Sequence, residues 1–264
     1  MTRHPGVPPA SDPASRAAER PLAPSGPPVS FRNLYPRYPG YTPRRDGGLG
    51  AYETVLGRAG FAPVAGIDEA GRGACAGPLV VAACVLRPGD AKRLDGLTDS
   101  KLLTPAARQE YYDLILRRCA DCAVVVIPPA EIDRRGVHIA NVEGMRRAVA
   151  ALATPPGYVL TDGFAVRGFG RPALAVPKGD QAAACVAAAS VLAKVTRDRY
   201  MRQEAEHYPH WSFDTNKGYP CPVHKAALQG YGPSAIHRRT WIFMDHYVPW
   251  PGMRIHRAVQ PTLF

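Results

Sequence analysis

The sequence predicts an α/β domain built on a mixed sheet. From residue 61 onward, apolar segments with strand character alternate with helical segments. The strand segments are 64–69, 78–86, 123–127, 157–162 and 173–177. The first two are joined by EAGRGACAG, whose glycines suit a hairpin and therefore antiparallel pairing. The later strands follow helical segments, which favours parallel pairing.

Three helical segments are predicted, at about 105–119, 138–153 and 181–206. Thr104 and Pro105 mark the start of the first one, because threonine caps helix N-termini and proline suits the first helical position. The segment after residue 209 is rich in glycine, proline, histidine and aromatic residues. It predicts a small C-terminal helical appendage on the same domain.

Composition divides the chain into three parts. Residues 1–45 contain 11 of the 28 prolines and show neither helical nor strand periodicity. We therefore expect residues 1–60 to form a proline-rich disordered extension. Residues 61–245 are expected to form the folded domain with its C-terminal helices, and residues 246–264 a tail.

Basic residues outnumber acidic ones. The 264 residues include 33 Lys and Arg against 22 Asp and Glu, which gives a formal net charge of +11. This excess favours a polyanionic partner such as nucleic acid, although charge by itself does not exclude a basic enzyme of another kind. We expect a monomer.

The cysteines and the hydropathy pattern predict a cytoplasmic protein with no membrane contact. The six cysteines lack the spacing of a disulfide scaffold, which favours a reducing compartment. Cys119 and Cys122 form one C-x-x-C, but no second ligand pair follows at zinc spacing, so we interpret them as helix-end residues. No apolar run reaches the roughly 18 to 20 residues of a membrane span, and no secretory signal is evident.

Acidic residues stand at the ends of the predicted strands. Asp68 and Glu69 end the first, Asp162 ends the fourth, and Asp180 and Asp99 follow other apolar runs. Because neighbouring strand ends converge on one edge of a sheet, these carboxylates can form a cluster. Close carboxylates raise one another's pKa unless a hard cation neutralises them, which predicts Mg²⁺ or Mn²⁺ as cofactor. Two such ions would suit phosphodiester hydrolysis.

Two of these acids also have an ordinary structural interpretation. Asp162 precedes a glycine and could be a turn residue, and Asp180 precedes an alanine-rich helix and could be its N-cap. The combination with the sequence DEAGRG favours the metal-site interpretation.

The chain resembles ribonuclease HII, the type 2 family of ribonuclease H. The resemblance covers roughly residues 62 to 242, and its blocks in order are GIDEAGRG, LTDSKLL, TDG, KGD, AAASVLAKVTRDR, KGYP and HRRTW. It implies a ribonuclease H-like five-stranded mixed sheet flanked by helices. It also implies that Asp68, Glu69, Asp162 and Asp180 are the catalytic metal-binding acids, and that the protein is a metal-dependent endoribonuclease.

The same resemblance implies how the substrate is bound. The family's Gly-Arg-Gly, here Gly71, Arg72 and Gly73, recognises the ribose 2′-hydroxyl, and the tyrosine matching Tyr219 stacks on the next sugar. The protein would then cut the RNA strand of RNA–DNA hybrids and the 5′ side of single ribonucleotides in duplex DNA, leaving 5′-phosphate and 3′-hydroxyl ends. The phosphate-contact candidates are Ser100, Lys101, Ser190, Lys194, Arg238 and Arg239.

The chain departs from the family pattern at two places. Asn216 stands where the family usually has histidine, and Cys75 places a thiol close to the Gly-Arg-Gly segment. The final residues QPTLF resemble the peptide by which repair proteins dock on the DNA sliding clamp, with Gln260, Leu263 and Phe264 as its anchors. Two other functions stay open at this point, a non-catalytic nucleic-acid-binding protein on the same fold and another metal-dependent phosphohydrolase.

Overall fold

The computed structural model describes residues 48–244. The strands are β1 (Val64–Ala70), β2 (Leu79–Val85), β3 (Asp121–Ile127), β4 (Tyr158–Asp162) and β5 (Ala173–Val176). The helices are α1 (Ala51–Arg58), α2 (Asp90–Arg93), α3 (Pro105–Arg118), α4 (Pro129–Arg135), α5 (Val137–Ala150), α6 (Gly179–Ala182), α7 (Ala184–His207), α8 (Phe213–Asn216) and α9 (Pro222–Tyr231), with a 3-10 turn at Pro209–Trp211.

The sheet has five strands in the order β3-β2-β1-β4-β5. β1 pairs antiparallel with β2, and β2 pairs antiparallel with β3. β4 is parallel to both β1 and β5. The predicted mixed sheet is therefore confirmed, including the hairpin between the first two strands. β1 and β4 lie side by side and in parallel, so their carboxyl ends meet at the same edge.

The sheet separates two apolar layers. Ile67, Val81 and Ala83 belong to the cluster that contains Ala140 and Met145 of α5. Val80, Ala82 and Cys84 belong to the cluster that contains residues of α3 and α7. Successive residues of β2 thus face opposite helices, as the two-residue period of a strand requires. Burial on both faces fixes the register of the central strands.

Helix α7 lies directly against the central strand. A Cβ atom at Gly66 of β1 would collide with the backbone of Cys185 and Val186, so the strand needs glycine there to approach the start of the helix. Helix α3 begins as predicted, because the Thr104 side chain accepts a hydrogen bond from the Ala107 amide at 3.2 Å. The close approach at Gly66 fixes the start of α7 against β1.

The prediction of disorder over residues 1–60 is wrong for its last part. Residues 51–58 form helix α1, whose Leu56 is buried. The Glu53 carboxylate accepts a hydrogen bond of 2.7 Å from the Cys185 amide at the start of α7. This bond and the burial of Leu56 hold the helix on the domain. Residues 1–47 lie outside the described part of the chain.

The C-terminal appendage is confirmed over the described residues. Short helices and turns follow α7, and Ala76 pairs with His237 in an isolated bridge next to the β1–β2 hairpin. The proposed tail at 246–264 lies outside the described residues. The six cysteines are free thiols. Within residues 48–244, none of the helices combines the length and the apolar character that crossing a membrane requires.

Candidate active site

Three carboxylates meet at the sheet edge. Asp68 lies in β1, Asp162 ends β4, and Asp180 lies in α6, which follows β5. One oxygen from each lies within 4.8 Å of the other two. The parallel pairing of β1 with β4 brings the first two together, and the turn after β5 adds the third. The sequence-based prediction of a cluster is thus met by these three residues.

Burial and mutual repulsion raise the pKa values of two of the clustered acids, Asp68 and Asp180. Asp68 and Asp180 are only 6% and 5% exposed. Burial, together with the charges of Glu69 and Asp162, raises the pKa of Asp68 well above its usual range. Burial and the neighbouring charges of Asp162 and Asp99 raise the pKa of Asp180 to about 6. An all-oxygen donor set with this charge is suited to a hard divalent cation.

Glu69 follows Asp68 in β1 and lies beside the cluster, but it is not one of the three clustered acids. Its carboxylate lies 3.7 Å from the Arg72 guanidinium and close to the buried side chain of Asn141 on α5. Asp68, in contrast, lies beside Ser190 on α7. Burial raises the pKa of Glu69, although Asn141 and Arg72 lower it.

Backbone amides hold two of the acids in place. The Gly179 amide donates a 2.7 Å hydrogen bond to Asp162, and the Glu69 amide donates a 2.8 Å bond to Asp68. The N-cap interpretation of Asp180 is not supported, because the N-cap residues of α6 and α7 are Lys178 and Ala183. Asp162 receives its bond from a residue 17 positions further along the chain, and this bond ties the end of β4 to the start of α6.

A cleft of about 450 Å³ adjoins the cluster and contains most of the predicted binding residues. Its lining consists of Asp68, Glu69, Ala70, Gly71, Arg72, Gly73, Ser100, Lys101, Ser190, Lys194 and Tyr219. Gly71 has a φ of +91° and packs against Arg197, where a Cβ atom would collide with the guanidinium. Glycine is therefore required at this position for its backbone conformation and for its close packing.

Several polar residues of the cleft are held by hydrogen bonds or by neighbouring charges. Ser190 donates a 2.8 Å hydrogen bond to Ser100, and Lys194 donates a 2.7 Å bond to Asp198 one turn further along α7. Burial lowers the pKa of Lys101, but Asp99, Asp68 and Asp180 outweigh this effect and leave the pKa raised. Lys101 is thus a firmly charged cation beside the acids.

The predicted phosphate contact of Arg238 is wrong. Its guanidinium is completely buried and donates hydrogen bonds to the backbone carbonyls of Gly71, Arg72, Gly77 and Pro78. No local pattern indicates this burial, since an arginine in a basic segment near the C-terminus has the pattern of a surface residue. Arg239 is exposed but does not line the cleft, and its guanidinium contacts Ser234.

The two departures from the family pattern have structural explanations. The Asn216 side-chain Oδ1 accepts a 2.7 Å hydrogen bond from the Gly218 amide, and its side-chain Nδ2 donates a 2.6 Å bond to the Trp211 carbonyl. Asn216 therefore supports the turn that carries Tyr219. Cys75 is buried and contacts the Gly218 carbonyl, and burial raises the pKa of its thiol to about 11. It is a packed thiol beneath the loop rather than a reactive group in the cleft.

Four residues next to the site were missed by the sequence analysis. They are Asn141, Arg197, His224 and His237, all buried polar side chains. A polar residue at an apolar helical position was a usable signal for Asn141 and Arg197. The two histidines stand in a segment without periodicity, where the sequence offers no comparable sign.

Comparison with known proteins agrees with this geometry. The family model described as ribonuclease HII matches residues 65–244. A ribonuclease HII from Saccharopolyspora erythraea is 56% identical over 214 residues, which cover 80% of this chain and 94% of that protein. A ribonuclease HII from Frankia alni is 59% identical over 208 residues, which cover 78% of this chain and 86% of that protein.

Solved structures show the same fold. The crystal structure of ribonuclease H2 from Pyrococcus horikoshii has a TM-score of 0.62 and 32% identity, and the match covers 70% of this chain and 96% of that one. A structure described as the PCNA:RNase HII complex from Archaeoglobus fulgidus has a TM-score of 0.59 and 27% identity, covering 68% and 95%. Since the family model and these relatives span most of the folded domain, this chain belongs to the ribonuclease HII family and is a ribonuclease H-type nuclease.

Proposed function

We propose that this chain cleaves the RNA strand of RNA–DNA hybrids and cuts on the 5′ side of single ribonucleotides embedded in duplex DNA. The proposed products have 5′-phosphate and 3′-hydroxyl ends. The observation that carries the proposal is the juxtaposition of the three-carboxylate cluster with a cleft lined by the Gly-Arg-Gly loop.

The acids fit a divalent cation, Mg²⁺ or Mn²⁺. Asp68, Asp162 and Asp180 would hold it, and their mutual repulsion supports this assignment because a cation relieves it. Glu69 would contribute from the side of the cluster. Bound cations supply activation of the attacking water and stabilisation of the leaving oxygen, as in two-metal phosphodiester hydrolysis. The chain's own part is to fix the carboxylates through the amides of Gly179 and Glu69.

The Gly-Arg-Gly loop is proposed to recognise the ribose 2′-hydroxyl. The 2′-hydroxyl distinguishes RNA from DNA at a cleavage site and can both donate and accept a hydrogen bond. Exposed Arg72 and Gly73 line the cleft, and Gly73 leaves its backbone open to a close approach. Arg72 would also contact phosphate, since its guanidinium lies on the surface beside Glu69.

Tyr219 and the basic side chains would bind the rest of the nucleic acid. The Tyr219 ring lines the cleft, where it would stack on the neighbouring sugar, and the Arg197 guanidinium lies over the ring at 5.2 Å from its centroid. Lys101, Lys194, Ser100 and Ser190 line the same cleft and are the proposed phosphate contacts. Arg239 does not line the cleft, and we propose that it contacts phosphate outside it.

The test is cleavage of a duplex that contains one ribonucleotide, in Mg²⁺ or Mn²⁺ and with a chelator control. We expect one cut on the 5′ side of the ribonucleotide, with end chemistry read by ligation or mass spectrometry. Binding without a cut would favour the non-catalytic alternative. Release of phosphate from small phosphate esters without any cut in the duplex would favour the phosphohydrolase alternative.

We further propose that the C-terminal peptide docks on the DNA sliding clamp. Gln260, Leu263 and Phe264, which lie outside the described residues, would anchor it, with the two apolar side chains in an apolar pocket. The Archaeoglobus fulgidus complex, described as containing PCNA and RNase HII, supports this partner class. A short anchor predicts an affinity on the order of micromolar. Removing Leu263 and Phe264 should abolish clamp binding and leave cleavage of a free oligonucleotide unchanged, and unaltered clamp binding would contradict the proposal.

A further inference from the structure

Two arginines are buried side by side beneath the Gly-Arg-Gly loop. Arg197 and Arg238 have no measurable exposure. Within residues 48–244, neither guanidinium forms an ion pair with a carboxylate. Burial and the charge of Arg197 lower the pKa of Arg238 to about 9. Buried cations are normally paired with an acid, so this arrangement is costly and needs a compensating contact.

Backbone carbonyls of the hairpin loop supply that contact. Arg238 donates to Gly71 at 2.7 Å, to Arg72 at 3.2 Å, to Gly77 at 3.1 Å and to Pro78 at 3.1 Å. Its planar fork thus bridges both ends of the loop. Arg197 donates to Ala76 at 3.1 Å and to Pro78 at 2.9 Å.

The contacts of Arg238 also decide where the loop amides point. In a trans peptide the C=O and the N–H of the same unit point in opposite directions. The Gly71 carbonyl shares its peptide with the Arg72 amide, and the Arg72 carbonyl shares its peptide with the Gly73 amide. With both carbonyls turned down onto Arg238, both amides point away from it. Among the described residues, neither amide has a hydrogen-bond acceptor.

We propose that Arg238 is a positioning residue that aims and polarises the Arg72 and Gly73 amides as donors to the ribose 2′-hydroxyl oxygen. A cation that donates to a carbonyl strengthens the amide of the same peptide as a donor, because hydrogen bonds in series polarise one another. Arg197 supports the same loop from below, against Gly71. This inference rests on the proposed function of the loop.

The test compares Arg238→Lys and Arg238→Met with the wild type. Lysine retains a charge but loses the fork, and methionine loses both. Binding is measured by fluorescence anisotropy without divalent metal, on a duplex with one ribonucleotide and on the same duplex made of DNA. We expect the preference for the ribonucleotide to fall by about tenfold for methionine and by less for lysine, while DNA affinity stays unchanged. Arg117→Lys, an exposed change on α3, is the control and should retain the preference.

A purely structural role gives a different result. Equal losses of affinity for both duplexes, or a lowered melting temperature with an unchanged preference, would overturn the proposal. A second measurement needs no substitution. In ¹⁵N-labelled wild-type protein, the ribonucleotide duplex should shift the Arg72 and Gly73 amide proton resonances downfield, and the DNA duplex should not. Equal shifts with both duplexes would also overturn the proposal, whereas failure of the wild type to cut at the ribonucleotide would reject the proposed function itself.

Discussion

The Nε2 atoms of His224 and His237, two buried residues of the C-terminal appendage, lie 2.9 Å apart. The Ser234 amide donates to His237 Nδ1 at 2.9 Å, so the proton of neutral His237 is on Nε2 and is donated to His224. His224 must then carry its own proton on Nδ1, which donates to the Tyr219 carbonyl at 2.9 Å. One chain of hydrogen bonds thus links Ser234 to the backbone of the proposed stacking residue.

This chain of bonds requires both rings to be neutral, which predicts acid sensitivity. Burial lowers the pKa of both histidines, and the nearby His224 and Arg239 help to lower that of His237 to about 3. Below about pH 6.5 the unfolded chain binds protons that the folded protein does not, so stability falls as the pH falls. For His237 this loss is roughly 2 kcal/mol between pH 7 and pH 5, and chemical denaturation at both pH values measures it.

His237→Asn is the matched variant for this prediction. Its side-chain oxygen can accept the bond from Ser234, but the residue does not titrate. The variant should be less stable than the wild type at pH 7 and should lose less stability between pH 7 and pH 5. The carboxylate cluster titrates in both proteins and therefore cancels in the comparison. Identical pH dependence in the two proteins would show that His237 is not the sensitive group.

Replacing Asp68 or Asp162 with Asn should abolish cleavage and leave nucleic-acid binding largely intact. The amide removes a charge from the cluster, while the basic side chains of the cleft are unchanged. We expect turnover below about one per cent of wild type, measured with saturating Mg²⁺ on the ribonucleotide duplex. Glu110→Gln, an exposed change on α3, is the control. Near-normal turnover of Asp68→Asn would remove this residue from the metal site.

Tyr219→Phe should be milder than Tyr219→Ala. If the ring stacks, phenylalanine keeps the contact and alanine loses about 1 to 3 kcal/mol, which corresponds to a loss in kcat/KM of roughly 5- to 150-fold. The measurement is kcat/KM on the ribonucleotide duplex. Equal losses in the two variants would assign the main role to the hydroxyl group.

Truncation separates the two parts of the N-terminal segment. Removing residues 1–45 should leave the melting temperature and the cleavage of short duplexes unchanged, because a chain of this composition cannot bury a core. Removing residues 1–60 should lower the melting temperature by about 5 °C, because it removes the burial of Leu56 and the bond from Glu53 to Cys185. A large drop for the shorter truncation would show that residues 1–45 pack on the domain.

The central strands and the acid cluster were predictable because they depend on patterns that a sequence displays. The apolar runs define β1 and β4, and parallel neighbours must place Asp68 and Asp162 at one edge. Helix α1 was missed because its eight residues bury only Leu56 and follow a proline-rich segment. Its attachment depends on long-range contacts, the bond from Glu53 to Cys185 and the packing of Leu56, which no local pattern indicates.

Arg238 shows what such patterns leave out. Its neighbours His237, Arg239, Thr240 and Trp241 are polar or aromatic, and its partners are carbonyls more than 150 residues away in the chain. Every residue has a backbone carbonyl. A side chain that binds carbonyls therefore has no partner residue type that could be recognised in the sequence. Glu69 is a related case, because it stands next to Asp68 in the sequence but is not one of the three clustered acids, and its neighbours Arg72 and Asn141 are set by the folded structure.

Helix α7 sets the distance between the carboxylate cluster and the Gly-Arg-Gly loop. Ser190 lies beside Asp68, and Arg197 lies two turns further on, beneath the Gly-Arg-Gly loop. One residue inserted between them would rotate everything beyond it by about 100° and shift it by about 1.5 Å. The length of this segment is therefore fixed far more tightly than its surface composition. Variation among working relatives should consist of substitutions there, with insertions and deletions confined to the loops.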